Sequence, residues 1–239
     1  MAVHHTDRPF ALVQISDPHL YADPDTEYRG WNTDQALDAL LAFLNSENQP
    51  IDALLLSGDL AQDELAATYT RLNEKLKTFT APIFALPGNH DNPPAIREIL
   101  KAQYLGEAQL GCWRLLLLNS HQPGITNGFL DDAELARAQA FVNSLDGPGL
   151  IAVHHQPLPI GSPWMDSIGL DNGEKLIRIV EAHHQVQGIL FGHVHQAVDT
   201  QQRGIRLLGC PSSWRQFLPG ACEPAEDLTA QPGYRRLWL

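Results

Sequence analysis

Basic side chains, cysteines and long apolar runs are all scarce in this chain of 239 residues, and each shortage narrows what it can be. Sixteen Lys and Arg face twenty-eight Asp and Glu, and the resulting net charge of −12 repels phosphate backbones and argues against a nucleic-acid partner. A small phosphorylated substrate stays compatible with that sign, because a local cluster of cations overrides the global charge. Only Cys112, Cys210 and Cys222 occur, an odd number without Cys-x-x-Cys spacing, which points to reduced thiols and a cytoplasmic location. The longest aliphatic run, Leu115 to Leu118, is far too short to span a bilayer. Met1 to Phe10 carries two histidines, Asp7, Arg8 and Pro9 where a signal peptide has an apolar core, so neither leader nor membrane segment is expected. No repeat, charge run or linker interrupts the sequence, and residues 1–239 read as a single domain of ordinary α/β length.

What is present is an alternation of apolar runs and helical patterns. Phe10 to Ile15, Ile51 to Leu56, Pro82 to Leu86, Cys112 to Leu118, Leu150 to Val153 and Gly188 to Phe191 read as strands, with shorter ones near Ala197 to Gln201, Ile205 to Leu208 and Tyr234 to Leu239. Between them, Leu37, Leu40, Leu41 and Leu44 recur at helical spacing behind Thr33 as N-cap, and Leu65, Tyr69, Leu72, Leu76 and Phe79 trace a second helix. Pro93-Pro94 open a third, Leu135 to Leu145 mark a fourth with Asp131 and Asp132 at its positive end, and Gly173 to His183 a fifth. A Pro/Gly-rich loop from Gln156 to Asn172, containing Trp164 and Met165, is too long for a simple connector and suits a pocket wall.

Five short blocks punctuate this order: Asp17-Pro-His19, Gly58-Asp59, Gly88-Asn89-His90-Asp91, His154-His155 and Gly192-His193-Val194-His195. Each alone is ordinary turn chemistry, since Asp and Asn favour strand-ending loops; the ordered set is not. The blocks combine carboxylates, imidazoles and an amide with no thiolate, a mixture that suits Fe, Mn or Zn better than calcium or copper. Two such cations about 3.5–4 Å apart can clamp a phosphoryl group, acidify a water and stabilise a leaving oxygen.

Block for block and in order, from Asp17 to His195, the chain resembles the calcineurin-like metallophosphoesterases. The resemblance implies a four-layer αββα sandwich of two mixed sheets flanked by helices, with a dinuclear transition-metal site. It also implies that Asp17, His19, Asp59 and His195 hold one metal, that Asp59, Asn89, His154 and His193 hold the other, and that His90 acts on the departing oxygen. His19, Asn89, His90 and His195 would then face the substrate, with Trp164 on the pocket wall. Within the family, Gln14 to Leu20, Ser57 to Asp63, His154 to Pro159, Trp164-Met165-Asp166, Leu170, Asn172, Pro211-Ser212-Ser213 and Gln216-Phe217 are most similar to the bacterial class III cyclic-AMP phosphodiesterases. The implied activity is hydrolysis of 3′,5′-cyclic AMP to 5′-AMP, with a homodimer left open. Met165 to Asn172 also looks like the corresponding loop of bacterial glycerophosphodiesterases, which makes another phosphodiester or phosphomonoester the alternative substrate.

Many relatives carry an acid three positions after the bridging Asp, where it orients the catalytic histidine; here that position is Gln62. Asp63 next to it is either the histidine's partner or the N-cap of the helix starting near Glu64. Neighbours on a strand alternate faces, so His154 is expected to enter the site and His155 to support or pack. Asn172 and Trp164 are read either as a cap and a packing residue or as substrate contacts. Gly88 and Gly192 are expected to give the backbone room beside the metals. His4, His5, His121, His183 and His184 are read as surface or satisfied histidines without a role.

Overall fold

The computed structural model describes residues 8–100 and 102–239; His4 and His5 lie outside the described residues. Eleven strands form two sheets: β1 (Ala11–Ile15), β2 (Ala53–Leu56), β3 (Ile83–Ala85), β4 (Gln103–Tyr104), β5 (Gly106–Leu110), β6 (Trp113–Leu117), β7 (Gly149–Ala152), β8 (Val186–Phe191), β9 (Val198–Gln202), β10 (Ile205–Gly209) and β11 (Arg235–Trp238). The first sheet has the order β11-β1-β2-β3-β4 and the second β9-β10-β8-β7-β6-β5. Both are mixed: β1 pairs in parallel with β2 and antiparallel with β11, while β7 and β8 run parallel between antiparallel outer ladders.

Alternation of side chains along each strand divides the core into three layers. Leu12, Ala53, Leu55 and Phe84 from the first sheet meet Leu115, Leu117, Leu150, Ala152 and Leu190 from the second. Val13, Ile15, Leu54 and Leu56 point the other way, under helices α1 (Thr33–Ser46), α2 (Ala66–Leu76) and α3 (Pro93–Ile99). On the far side, Leu116, Ile151, Val153, Ile189 and Phe191 are covered by α4 (Asp132–Asn143) and α6 (Gly173–Glu181), with the short α5 (Pro163–Asp166) in the intervening loop. The result is the expected four-layer αββα sandwich. No helix among the described residues is long and apolar enough to cross a membrane.

Several local expectations are corrected. Asn32, not Thr33, caps α1: its side chain accepts from Gln35 N, while the Thr33 hydroxyl donates to the carbonyl of His19 at 3.0 Å. Asp63 is not an N-cap either; one oxygen accepts from Leu65 N and the Thr68 hydroxyl, the other from Ala22 N, tying the β2 loop to the β1 loop. Strand β5 escaped the periodicity argument because its outward positions are Glu107 and Gln109 and its inward ones include only Ala108 and Leu110. Phe141 is wholly buried at the α4 interface beneath the Arg114 guanidinium. Phe141→Ala is expected to lower unfolding free energy by about 3–5 kcal/mol, the usual cost of emptying an aromatic core site, in a urea titration. A loss below about 1 kcal/mol would mean that this layer repacks freely.

Candidate metal centre

Every block emerges where a strand ends. Asp17 and His19 follow β1, Asp59 follows β2, Asn89 and His90 follow β3, His154 follows β7, and His193 and His195 follow β8. Pairing continues into the loops: Asp17 N donates to Gly58 O and His19 N to Asp59 O, both at 3.0 Å, and Gly192 N donates to His154 O at 3.0 Å. Five of these residues, Asp17, His19, Asp59, His193 and His195, have φ between 45° and 63°. A side chain in this left-handed region costs on the order of 1–3 kcal/mol, and clustering of such residues is characteristic of functional sites. Gly88 and Gly192 do not have positive φ; they supply space. A Cβ on Gly88 would fall 2.1 Å from Asp59 Oδ1, and one on Gly192 would fall 2.1 Å from Ser16 Oγ and 2.8 Å from Asp17 Oδ2.

The imidazoles are oriented by their outer nitrogens. His154 Nδ1 donates to Ser57 O at 2.8 Å, His195 Nδ1 to Arg215 O at 2.9 Å, His193 Nε2 to Ile168 O at 3.0 Å, and His19 Nδ1 to Gln62 Oε1 at 2.7 Å. Each ring therefore turns its second nitrogen inward. There the lone pairs meet one another: His19 Nε2 and His195 Nε2 lie 3.2 Å apart, with His195 Nε2 3.4 Å from Asp17 Oδ1. Asp59 Oδ2 sits 3.4 Å from His154 Nε2 and 3.7 Å from His19 Nε2. His154 Nε2 and Asn89 Oδ1 are buried with no hydrogen-bond partner among the described residues. Acceptors facing acceptors in a buried pocket are repulsive unless a cation lies among them, so the donor set fits metal ions.

Charge follows the same logic. Burial resists ionisation of His154, but Asp59 and Asp17 overcome it and push its pKa up to about 9. Burial takes His19 down to about 4, with Asp59 opposing, and burial with repulsion from His154 takes His193 down to about 3. Burial also works against ionised Asp59 and Asp17, yet the surrounding histidines hold both below the ordinary carboxylate value.

His155 is close enough to His154 and His193 to be counted with them. Both of its nitrogens are engaged, by the Ser120 hydroxyl at 2.8 Å and by Thr126 O at 2.9 Å, which makes it a support. Asp91 is buried and binds Gly88 N, Leu60 N, Ala61 N and the Tyr69 hydroxyl, locking the β2 and β3 loops together. His121, read as a surface or satisfied histidine, bonds Gly88 O through Nδ1 at 2.9 Å. Asn172 occupies the N-cap position of α6 without a side-chain capping bond; its side chain pairs instead with both backbone groups of Leu130. Trp164 lines the site cavity and also packs edge-on against Phe217, at 5.0 Å between ring centroids.

The family model for the calcineurin-like phosphoesterases matches residues 10–197. The chain belongs to this family. Among curated relatives, the 3′,5′-cyclic adenosine monophosphate phosphodiesterase CpdA of Pseudomonas aeruginosa is 36% identical over 98% of the chain and 86% of the relative. CpdA of Haemophilus influenzae is 34% identical over 99% and 88% respectively. The solved structure of a dimetal phosphatase from Danio rerio, at 15% identity, shares the fold with a TM-score of 0.70 over 87% of this chain and 88% of that one. As a calcineurin-like phosphoesterase the chain is a metal-dependent hydrolase of phosphate esters, and its His/Asp clusters coincide with the matched segment.

Around this centre the chain missed most by sequence reasoning is aromatic. Tyr28 and Trp214 flank His19, each 6.0 Å from its ring, and Phe217 stacks on His195 at 4.2 Å. Tyr28 and Trp214 carried no motif; the loop with Trp164 and the pairing Gln216-Phe217 were the sequence signals for this wall. Gly88→Ala should abolish metal loading while leaving the folded far-UV spectrum in place, because the new methyl lands on the Asp59 carboxylate. Metal analysis of the purified variant checks this; retention of the wild-type metal content would contradict the close approach.

Proposed function

We propose that the chain hydrolyses 3′,5′-cyclic AMP to 5′-AMP at a dinuclear centre. The carrying observation is a cavity of about 280 Å³ lined both by the acceptor cluster and by an apolar, aromatic wall. His19, Asp59, Asn89, His90, His193 and His195 border it, and Tyr28, Trp164, Met165, Ile168, Trp214 and Phe217 line it as well, with Arg29 beside them. That pairing suits a phosphate joined to a flat aromatic base. A larger cavity of about 720 Å³, near His183 and Arg203, contains none of the site residues and has no part in this reading. The cyclic-AMP phosphodiesterase activity for which the CpdA relatives are named, similar over nearly the whole chain, supports the substrate.

Asp17, His19, Asp59 and His195 would hold one cation, and Asp59, Asn89, His154 and His193 the other; Asp59, within 3.7 Å of both His19 Nε2 and His154 Nε2, is the shared ligand. The N/O donor set favours Fe, Mn or Zn. Such ions, when bound, acidify water and neutralise charge on phosphoryl oxygens. The protein's own groups do the rest. His90, at the cavity edge, stabilises the 3′-oxygen as its bond to phosphorus breaks. Trp164 and Phe217 offer faces to the base, and the apolar wall excludes bulk water. Three cysteines without a disulfide among the described residues agree with a cytoplasmic setting. The glycerophosphodiester alternative loses polar groups it would need: Asp166 is bonded to Ile160 N and Gly161 N, and Asn172 to Leu130.

Two measurements test this reading. Chelation should remove hydrolysis of cyclic AMP and Mn, Fe or Zn should restore it; full activity in metal-stripped protein would refute the centre. On the substrate side, cyclic AMP should be turned over faster than a glycerophosphodiester or a simple aryl phosphate. His90→Ala should keep its metal content and lose about 10²-fold or more in turnover, as when a charge-stabilising donor is removed. Unchanged turnover would take His90 out of the reaction.

A further inference from the structure

Gln62 lies between two histidines with different tasks. Its Oε1 is 2.7 Å from His19 Nδ1 and its Nε2 is 3.2 Å from His90 Nδ1. The two rings stand edge to face, 5.1 Å apart. The direction of this chain of bonds is decided at its His19 end. As a cation ligand in the proposed centre, beside His195 Nε2 and the Asp59 carboxylate, His19 Nε2 would present its lone pair, so its proton is on Nδ1 and must meet an acceptor. That places the Gln62 carbonyl toward His19 and leaves its amide N–H₂ toward His90. An amide nitrogen only donates, so His90 Nδ1 can only accept, and the ring proton is on Nε2.

We propose that Gln62 is a positioning residue that fixes His90 as the Nε2–H tautomer, a neutral hydrogen-bond donor to the leaving oxygen. The proposal rests on the phosphodiesterase reading above and refines the part His90 plays in it. The balance of the step then follows. Water oxygen forms a bond to phosphorus, the P–O3′ bond breaks with its electron pair going to O3′, and the proton that completes the 3′-hydroxyl comes from the water. His90 keeps its own Nε2 proton throughout, stabilising charge on O3′ by hydrogen bonding. A carboxylate in place of Gln62 would do the opposite: it accepts from both rings, puts a proton on His90 Nδ1 and frees Nε2 to exchange one. Asp63 cannot take this place, because both its oxygens are bound to Ala22 N, Leu65 N and the Thr68 hydroxyl.

NMR of histidine-labelled, zinc-loaded protein distinguishes protonated from unprotonated ring nitrogens, with the His90 signals assigned by their loss in His90→Ala. Wild type should show His90 Nδ1 unprotonated and Nε2 protonated, and Gln62→Glu should move the proton onto Nδ1. A protonated Nδ1 in wild type overturns the proposal. In turnover, Gln62→Leu should depress hydrolysis of cyclic AMP, whose 3′-alkoxide is a poor leaving group, more than that of bis(p-nitrophenyl) phosphate, whose phenolate leaves readily. The ratio of the two losses should be about tenfold or more, within the range for a lost donor in a transition state. Metal analysis of the same sample separates this from weakened holding by His19. Equal losses on both esters would reduce Gln62 to structural support and overturn the proposal. Should wild type cleave no phosphodiester at all, the proposed function fails, and the tautomer spectrum still decides the role of Gln62.

Discussion

Mutual repulsion among buried acceptors is the constraint on which this molecule is organised. Asp17 and Asp59 face the inward nitrogens of His19, His154 and His195 across gaps of 3.4–4.0 Å, and Arg29, which lines the cavity, is paired with Glu226 rather than with either carboxylate. Such an arrangement is unfavourable for the apoprotein and becomes favourable when cations bind, which is how a folded scaffold stores affinity for metal. It also requires the surroundings to be rigid. The five candidate ligand residues with positive φ persist because the loops around them are cross-tied by backbone bonds.

The cross-ties are supplied by residues that touch neither metal nor substrate in the proposed scheme. Asp91 gathers the Gly88, Leu60 and Ala61 amides, and Ser212 donates to Asp17 O at 2.8 Å from the strand-like segment beyond β10. Gln14, buried between the sheets, donates to both Ser57 Oγ and Phe191 O, so it links the first sheet to the second directly beneath the site. Three ligand loops come from one sheet and two from the other. The geometry of the centre therefore depends on how the two sheets are held face to face, and the inter-sheet layer of Leu12, Leu55, Leu117, Leu150 and Leu190 is part of the catalytic design as much as of stability.

Specificity in this scheme comes from a different part of the chain. The metal side of the cavity handles any phosphate ester, while the aromatic wall from Tyr28, Trp164, Trp214 and Phe217 is assembled from a short hairpin near Glu27–Tyr28, the α5 loop and the segment after β10. These are irregular segments carried on a rigid frame, the usual division of labour between scaffold and recognition.

The sequence alone determined the strand-loop-helix order and the ligand candidates, because apolar periodicity and metal-competent side chains are local properties that survive translation into one dimension; the αββα class came with the family resemblance. Asp17, His19, Asp59, Asn89, His154, His193 and His195 could be named before any contact was known. Their directions could not. Which nitrogen of each histidine turns inward depends on Ser57 O, Arg215 O, Ile168 O and Gln62, acceptors as far as 97 residues away in the chain. His155 and His154 are equivalent neighbours in the sequence, yet Ser120 and Thr126 occupy both nitrogens of the first, while the second, bonded to Ser57 O through Nδ1, keeps Nε2 without a hydrogen-bond partner among the described residues. Asp63 and Gln62 differ in the same way: the choice between them was open until the β1 loop folded against the β2 loop and claimed the acid for backbone amides. Hydrogen-bond direction is a property of pairs, and the pairs here are made by the packing of two sheets.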